Sequence, residues 1–524
     1  MEKEKMLKNI SLSVREGEFI CLCGSSGCGK TTLMKLLKRE LAPRGTLTGE
    51  ILFCGKKQDE LSERESAGDI GYVLQNTEAQ IVTDKVWHEL SFGLENLGYD
   101  SEYIRVRVGE MANYFGLAHM FRGETASLSG GQKQLLALAA IMAMSPKLLL
   151  LDEPTSQLDP IAAADFIATL KKINRELGTT IIIAEHRLED IFPIADKIAV
   201  MENGSLIAFN APSEVCRALA SSPTSLGFPT SVRLWQALGG KGEVPLTVRD
   251  GRRFLEENFS SKKNEFFPAE NCSEIAFCLC EVYFRYEKDA PDVLRGARVE
   301  VKKGEFFCLL GANGAGKTTT LRAISGLIKP YRGKVKIAGK AKTALLCQNV
   351  QNVFLKNTVR EDLEDILRAN SCDKAIIPAK IEAIAEKLGI SELLCKHPYD
   401  VSGGEAQKCA LAKVLLTEPQ ILLLDEPTKA IDPAAKRSLA AILKKLTESG
   451  VTVFAVTHDV EFAAENADRC ALFFDGEILP PATPQKFFSA NNFYTTAASR
   501  ISRGVFENAV TERDILRLCK GDKT

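Results

Sequence analysis

Two stretches of this chain have the residue types and spacing to hold a chain of phosphates. One is Gly24-Ser25-Ser26-Gly27-Cys28-Gly29-Lys30-Thr31-Thr32, and the other is Gly311-Ala312-Asn313-Gly314-Ala315-Gly316-Lys317-Thr318-Thr319. Glycines at this spacing let backbone N–H groups converge on phosphate oxygens, and the helix N-terminus that follows adds a favourable dipole. Gly24, Ser25, Gly27, Gly29 and Thr32 form the first candidate cradle. Gly311, Asn313, Gly314, Gly316 and Thr319 form the second. Lys30 and Lys317 would reach the β- and γ-phosphates, and Thr31 and Thr318 would each place a hydroxyl on Mg²⁺.

Farther on, Leu148 to Thr155 and Ile421 to Thr428 are apolar runs that each close in Asp-Glu-Pro-Thr. Asp152 and Asp425 end their strands and are predicted to hold Mg²⁺. Glu153 and Glu426 come next, placed to polarise an attacking water. Phosphoryl transfer draws most of its rate from such positioning and charge neutralisation. An Asp-Glu pair also suits a helix N-terminus by its charge alone, but the company of a phosphate loop favours the chemical role. Of the five histidines, His186 and His458 follow apolar strands, 33 residues after Glu153 and 32 after Glu426. That match predicts contact with a γ-phosphate. His88, His119 and His397 are read as surface or packing residues.

These residues need elements to position them, and the chain supplies the elements twice. Lys30 and Lys317 stand 287 positions apart, whereas Ser129 and Ser402, and Glu153 and Glu426, stand 273 apart. The first half therefore carries 14 extra residues before its Ser-Gly-Gly. Such a repeat divides the 524 residues into two large domains. Strands are predicted at Glu18 to Cys23, Lys147 to Leu151 and Thr180 to Ala184, and again at Glu305 to Leu310, Gln420 to Leu424 and Val451 to Val456. A helix is predicted from Thr31 to Glu40. Continuous apolar strands alternating with helices imply a doubly wound, mainly parallel α/β core. The domains are set at 1–212 and 275–490. A small appended subdomain and linker takes 213–274, and the tail from 491 to 524 is either a docking helix or a frayed end.

Composition excludes other classes. A net charge of −1 gives no long-range attraction for nucleic acid. The 15 cysteines are scattered, odd in number and without a predicted secretory segment, which points to reduced thiols in a cytosolic protein. The pairs Cys21/Cys23 and Cys278/Cys280 lack a matching Cys/His pair for metal. No apolar run approaches the ~20 residues that span a bilayer, so a membrane role is expected to act through a partner.

The order of phosphate loop, Gln75, Leu128-Ser129-Gly130-Gly131-Gln132, Asp152-Glu153, Leu158-Asp159 and His186 resembles the nucleotide-binding domain of ABC transporters. The second half is similar through Gln348, Val401-Ser402-Gly403-Gly404-Glu405, Asp425-Glu426, Ile431-Asp432 and His458. The resemblance implies two ATPase domains of the P-loop NTPase fold. Each has a mainly parallel core, an antiparallel β subdomain and a helical subdomain bearing the Ser-Gly-Gly signature. It implies Gln75 and Gln348 as further Mg²⁺ and phosphate contacts. It also implies a head-to-tail pair of ATP sites. Ser402 and Gly404 would complete the site of Lys30, Gln75, Asp152, Glu153 and His186. Ser129 and Gly131 would complete that of Lys317, Gln348, Asp425, Glu426 and His458. Tyr286 fits the family's adenine-stacking aromatic, and no aromatic precedes Leu7 in the first half. Val401 and Glu405 also depart from Leu128 and Gln132. Both departures fall on the first site, so the second is expected to bind more tightly.

Gln75 to Asp84, Val86-Trp87-His88-Glu89-Leu90, Phe92 to Asn96, and Glu185-His186-Arg187-Leu188-Glu189 look like the ATPases of energy-coupling factor importers. That resemblance implies a fused ATPase chain on the cytoplasmic face of the cell membrane. Its partners would be a transmembrane coupling protein and a small substrate-binding membrane protein, with a vitamin or transition metal as cargo. Trp87 and Phe92 are candidates for the partner interface and equally for the core. Two rivals share the tandem plan: soluble ATPases acting on ribosomes, and sugar-importer ATPases. The connector lacks the sustained charge run of the first, and both Asp-Glu pairs are intact, unlike the second.

Overall fold

A computed structural model describes residues 6–260, 262–263, 274–339, 341–429, 431–492 and 494–520. Residues 1–5, part of the connector and the last four residues of the tail lie outside them. The chain forms two compact units, Met1–Pro229 and Thr230–Thr524. The stretch 213–274 is thus shared, its first part going with unit one and the rest with unit two.

In unit one the apolar runs build a six-stranded sheet. Its order is Ile70–Val73, Leu148–Asp152, Thr180–Ala184, Phe19–Gly24, Lys197–Glu202 and Ser205–Asn210. The first five are parallel and the last is antiparallel. Unit two repeats the plan with Thr343–Leu346, Ile421–Asp425, Thr452–Thr457, Phe306–Leu310, Arg469–Phe474 and Glu477–Ile478. The central strand of each sheet runs into the phosphate loop, so that loop lies at the carboxyl edge where open α/β sheets bind ligands.

Most predicted strands are displaced by one residue. The strands begin at Phe19, Leu148, Phe306, Ile421 and Thr452 rather than one position earlier. At Glu18 and Glu305 the polar side chain turns aside to pair with Lys197 and Arg469. Four of the six also run one residue farther, to Gly24, Asp152, Asp425 and Thr457; Asp152 and Asp425 stay in register opposite Ala184 and Val456. The helix predicted to Glu40 stops sooner, spanning Lys30–Leu36 before a 3-10 turn at Arg39–Leu41. Lys38 is extended between them, and its buried ammonium donates to the carbonyls of Ser66 and Ile70 at 2.5 and 2.7 Å. Satisfying that buried charge outweighs continuing the helix.

The 14 extra residues of the first half fall between the phosphate loop and Gln75. There unit one has a two-stranded ribbon, Leu52–Phe53 with Lys56–Lys57, and a short helix Glu63–Asp69 closed by a Ser62/Glu65 capping box. Unit two instead has Arg332–Ile337, an edge strand of a three-stranded antiparallel sheet with Ile275–Phe284 and Leu294–Lys302.

The tail is helical. Ala497–Ser502 and Glu512–Lys520 pack with Thr230–Ala237 and Val248–Asn258 around Leu234, Leu255, Ile501, Phe506 and Ile515. Gly251 allows the close approach: a Cβ there would lie 2.9 Å from that of Ser231.

Candidate active sites

Each phosphate loop is shaped by backbone that side chains disfavour. Gly24 has φ 149°, and a Cβ there would stand 2.2 Å from the carbonyl oxygen of Met201. Only glycine fits. Lys30 is buried, its Nζ donating to the carbonyls of Gly24 at 2.9 Å and Ser25 at 3.2 Å. Lys317 does the same to Gly311 at 2.7 Å and Ala312 at 3.0 Å. The lysine thereby folds over its own loop, leaving the ammonium at the loop's centre.

The Asp-Glu pairs meet these loops across the sheet. Thr31 Oγ1 donates to Asp152 Oδ1 at 3.1 Å, and Thr318 Oγ1 to Asp425 Oδ2 at 2.8 Å. Burial pushes both aspartates up from the usual carboxylate range, with the neighbouring glutamate adding to it. A carboxylate that is costly to ionise beside a hydroxyl is an oxygen set waiting for a hard cation, so these residues fit Mg²⁺. When bound, Mg²⁺ neutralises charge on phosphate oxygens.

The glutamates sit on strained backbone. Glu153 and Glu426 have φ of 47° and 50°, the left-handed region, at a cost of order 1 kcal/mol each. Their N–H groups bond across the sheet to Ala184 and Val456, each at 2.9 Å. This turn throws each carboxylate toward the histidine of the next strand. His186 Nε2 lies 2.8 Å from Glu153 Oε1, and Gln75 Nε2 donates to Glu153 Oε2 at 2.8 Å. In unit two His458 presents Nδ1 instead, 2.9 Å from Glu426 Oε2, and Lys317 Nζ is 3.4 Å from Glu426 Oε1. Burial raises the Glu426 pKa, but His458 and Lys317 more than offset it and hold it lowered. Gln348 is exposed and is not drawn to Glu426 as Gln75 is to Glu153.

Both signature serines cap helices. Ser129 starts Gly130–Ala143 and Ser402 starts Gly403–Leu415, each in a capping box closed by Gln132 or Glu405. The Gln-to-Glu departure thus keeps the cap. It changes one bond: Ser402 Oγ donates to Glu405 Oε2 at 2.8 Å. Asp159 and Asp432 cap the next long helices, accepting from Ala162 and Ala435. Tyr286 Oη is 3.0 Å from Thr319 Oγ1, with the ring half exposed above the second phosphate loop. Among the described residues of unit one, no strand precedes Phe19.

The ABC transporter family matches residues 7–156 and 294–429. The chain belongs to it, as a tandem ABC ATPase. A relative from Bacillus cereus, with the provisional name ABC transporter ATP-binding protein, is 40% identical over 99% of this chain and 96% of its own length. Another from Clostridium tetani is 33% identical over 82% of this chain and 99% of its own. Among solved structures, archaeal ribosome recycling factor aABCE1 in complex with ribosomal stalk protein aP1 aligns with TM-score 0.57 at 22% identity. That alignment covers 91% of this chain and 88% of that one, and it shows the fold alone.

The tandem ABC ATPase also uses residues that its motifs did not reveal. Tyr72 Oη donates to Asp152 Oδ2 at 3.3 Å, but the matching position of unit two is Leu345, so the repeat gives no signal. Glu185, directly before His186, is fully buried and accepts from Thr155 N at 2.8 Å and Thr155 Oγ1 at 2.5 Å. Burial pushes its pKa up despite those bonds. The equivalent of Glu185 in unit two is Thr457. A carboxylate in place of a threonine beside a matched histidine was the available clue.

Proposed function

We propose that this tandem ABC ATPase is the ATP-binding and hydrolysing subunit of an energy-coupling factor importer, powering uptake of a vitamin or transition metal. The observation that carries the reading is the surface just beyond Gln75. Val82, Trp87 and Phe92 are 62%, 42% and 39% exposed. Three large apolar side chains exposed within one short segment suit a surface that a partner covers. The same segment leads back to Gln75 and through it to Glu153. A transmembrane coupling protein covering this face would feel the state of the nucleotide. A small substrate-binding membrane protein completes the assembly, with this chain on the cytoplasmic face of the cell membrane. No described helix is long and apolar enough to cross a membrane.

In this reading Lys30 and Lys317 hold the γ-phosphates. Glu153 and Glu426 orient water and take up its proton as it attacks the γ-phosphorus and the bond to the bridging oxygen breaks, releasing ADP and phosphate, and His186 and His458 fix those carboxylates. The test is capture of the tagged full chain from native membranes, with partners identified by mass spectrometry. Two small integral membrane proteins support the importer. Ribosomal proteins without a membrane partner overturn it for a ribosome-acting ATPase, and a pair of large permease subunits for a sugar importer.

A further inference from the structure

Asp152 and Asp425 end matching strands, yet their carboxylates are held differently. In unit two both oxygens of Asp425 face one hydroxyl: Thr318 Oγ1 lies 3.1 Å from Oδ1 and 2.8 Å from Oδ2. That hydroxyl has a single hydrogen to give. In unit one the two oxygens have separate donors. Thr31 Oγ1 donates to Asp152 Oδ1 at 3.1 Å, and Tyr72 Oη to Oδ2 at 3.3 Å. Thr31 lies on the helix Lys30–Leu36 and Tyr72 on the strand Ile70–Val73, so Asp152 is pinned from two elements.

Tyr72 is itself fixed in place. Its side chain is buried in a cluster with Met34, Leu150 and Ile182. Its strand runs parallel to Leu148–Asp152, with Tyr72 opposite Leu150. Gln80 clamps the end of that strand. Gln80 Nε2 donates to the carbonyl of Tyr72 at 3.1 Å, and Oε1 accepts from Leu74 N at 2.8 Å. Unit two has Leu345 where Tyr72 stands and Val353 where Gln80 stands, and neither hydrocarbon side chain can form such bonds. A phenol keeps its proton at neutral pH, so Tyr72 remains a donor to the carboxylate.

We propose that Tyr72 is a positioning residue for the divalent cation of unit one: it holds the Asp152 carboxylate in one orientation before Mg²⁺ arrives, whereas Asp425 of unit two has to be ordered as the cation binds. Groups behind a metal's own ligands orient them, and losing one costs about 10- to 100-fold in metal affinity. A carboxylate already in place gives up less freedom on binding. Mg²⁺ therefore strengthens nucleotide binding more at the Lys30 loop than at the Lys317 loop. The adenine contact of Tyr286 favours the second loop instead, and the two preferences separate because Mg²⁺ can be withheld. The inference rests on Mg-nucleotide binding by the ABC fold, not on any transport partner.

The experiment is calorimetric titration of the full chain with a non-hydrolysable ATP analogue, in excess Mg²⁺ and again in EDTA. The ratio of the two affinities is the gain that the cation supplies. Mg²⁺ bound by free nucleotide is common to every variant, so differences in this gain report the metal affinity of the site. Lys317→Ala isolates the first loop and Lys30→Ala the second. The gain is expected to be larger in the Lys317→Ala chain. Adding Tyr72→Phe, which removes one oxygen and keeps the ring, is expected to cut that gain by about tenfold and to leave the affinity in EDTA unchanged. Equal gains at the two loops overturn the proposal. So does a loss of affinity that is the same with and without Mg²⁺, which would mark Tyr72 as packing alone, or a gain that Tyr72→Phe leaves intact. None of these results touches the importer reading.

Discussion

Lys317 and Glu426, the proposed phosphate-binding cation and water-orienting carboxylate of unit two, lie 3.4 Å apart with both side chains buried. In unit one Lys30 bonds the carbonyls of its own loop, and Glu153 is gripped by Gln75 and His186. The two sites thus start from different electrostatic states. Lys317 must release a carboxylate before it takes a phosphate; Lys30 gives up only neutral oxygens.

Glu426→Gln frees Lys317 and removes the group that orients water. ATP turnover by the full chain is expected to fall by about 10²- to 10⁴-fold at that site, while nucleotide retained after rapid gel filtration rises. Glu153→Gln should lose turnover without the gain in retention, since Glu153 does not hold Lys30. Equal gains from both changes would refute the difference between the sites.

Tyr286 stands over the second phosphate loop, and no described aromatic plays that part in unit one. An adenine stack contributes roughly 0.5–1.5 kcal/mol beyond area burial. Tyr286→Ala should therefore weaken ATP binding by about 2- to 12-fold in a Lys30→Ala background. Lys30→Ala alone is expected to leave tighter residual binding than Lys317→Ala. Calorimetric titration decides the matter, and equal residual affinities would remove the case for a stronger second site.

Thr155→Val should destabilise unit one more than Thr428→Val destabilises unit two. It strips a hydrogen bond from the buried Glu185 carboxylate, a change worth about 1–3 kcal/mol. Threonine sits at the matching position in unit two, Thr457, and no carboxylate is left short. Urea unfolding followed by probes in each unit would show the contrast; similar midpoint shifts would contradict it.

Trp87→Ala and Phe92→Ala, being exposed, should change thermal stability by no more than about 0.5 kcal/mol. Turnover by the isolated chain should stay within a factor of two or so, the same small energy on the rate scale. Both changes should abolish recovery of membrane partners. Partner recovery at the parent's level would place the docking surface elsewhere.

The parts that were legible in the sequence share one property: their physics is local. A phosphate loop needs glycines where side chains clash, and Gly24 meets a neighbouring carbonyl. A parallel strand buried on both faces must be apolar along its whole length. The fixed offset of 273 residues then aligned one unit with the other. What escaped depends on contacts between distant residues, or on a position where the repeat breaks. Tyr72 reaches Asp152 across 80 residues, and Leu345 replaces it in the other unit. Asp362 and Lys413 pair across 51 residues, where unit one has Glu89 and Ala140. The early end of the first helix was hidden for a similar reason, because Lys38 answers to carbonyls 28 and 32 residues away.

The helical cluster that joins Leu234 and Leu255 to Ile501 and Ile515 sets a clock on biosynthesis. Leu255 leaves the ribosome 246 residues before Ile501, roughly 12–50 s earlier at common elongation rates. Through that interval the early helices expose the apolar faces that the last helices will cover. A nascent chain halted anywhere in the second unit carries that surface uncovered, open to chaperones and to aggregation. Deleting the final helices would leave every finished molecule in the same exposed condition, with both nucleotide motifs intact.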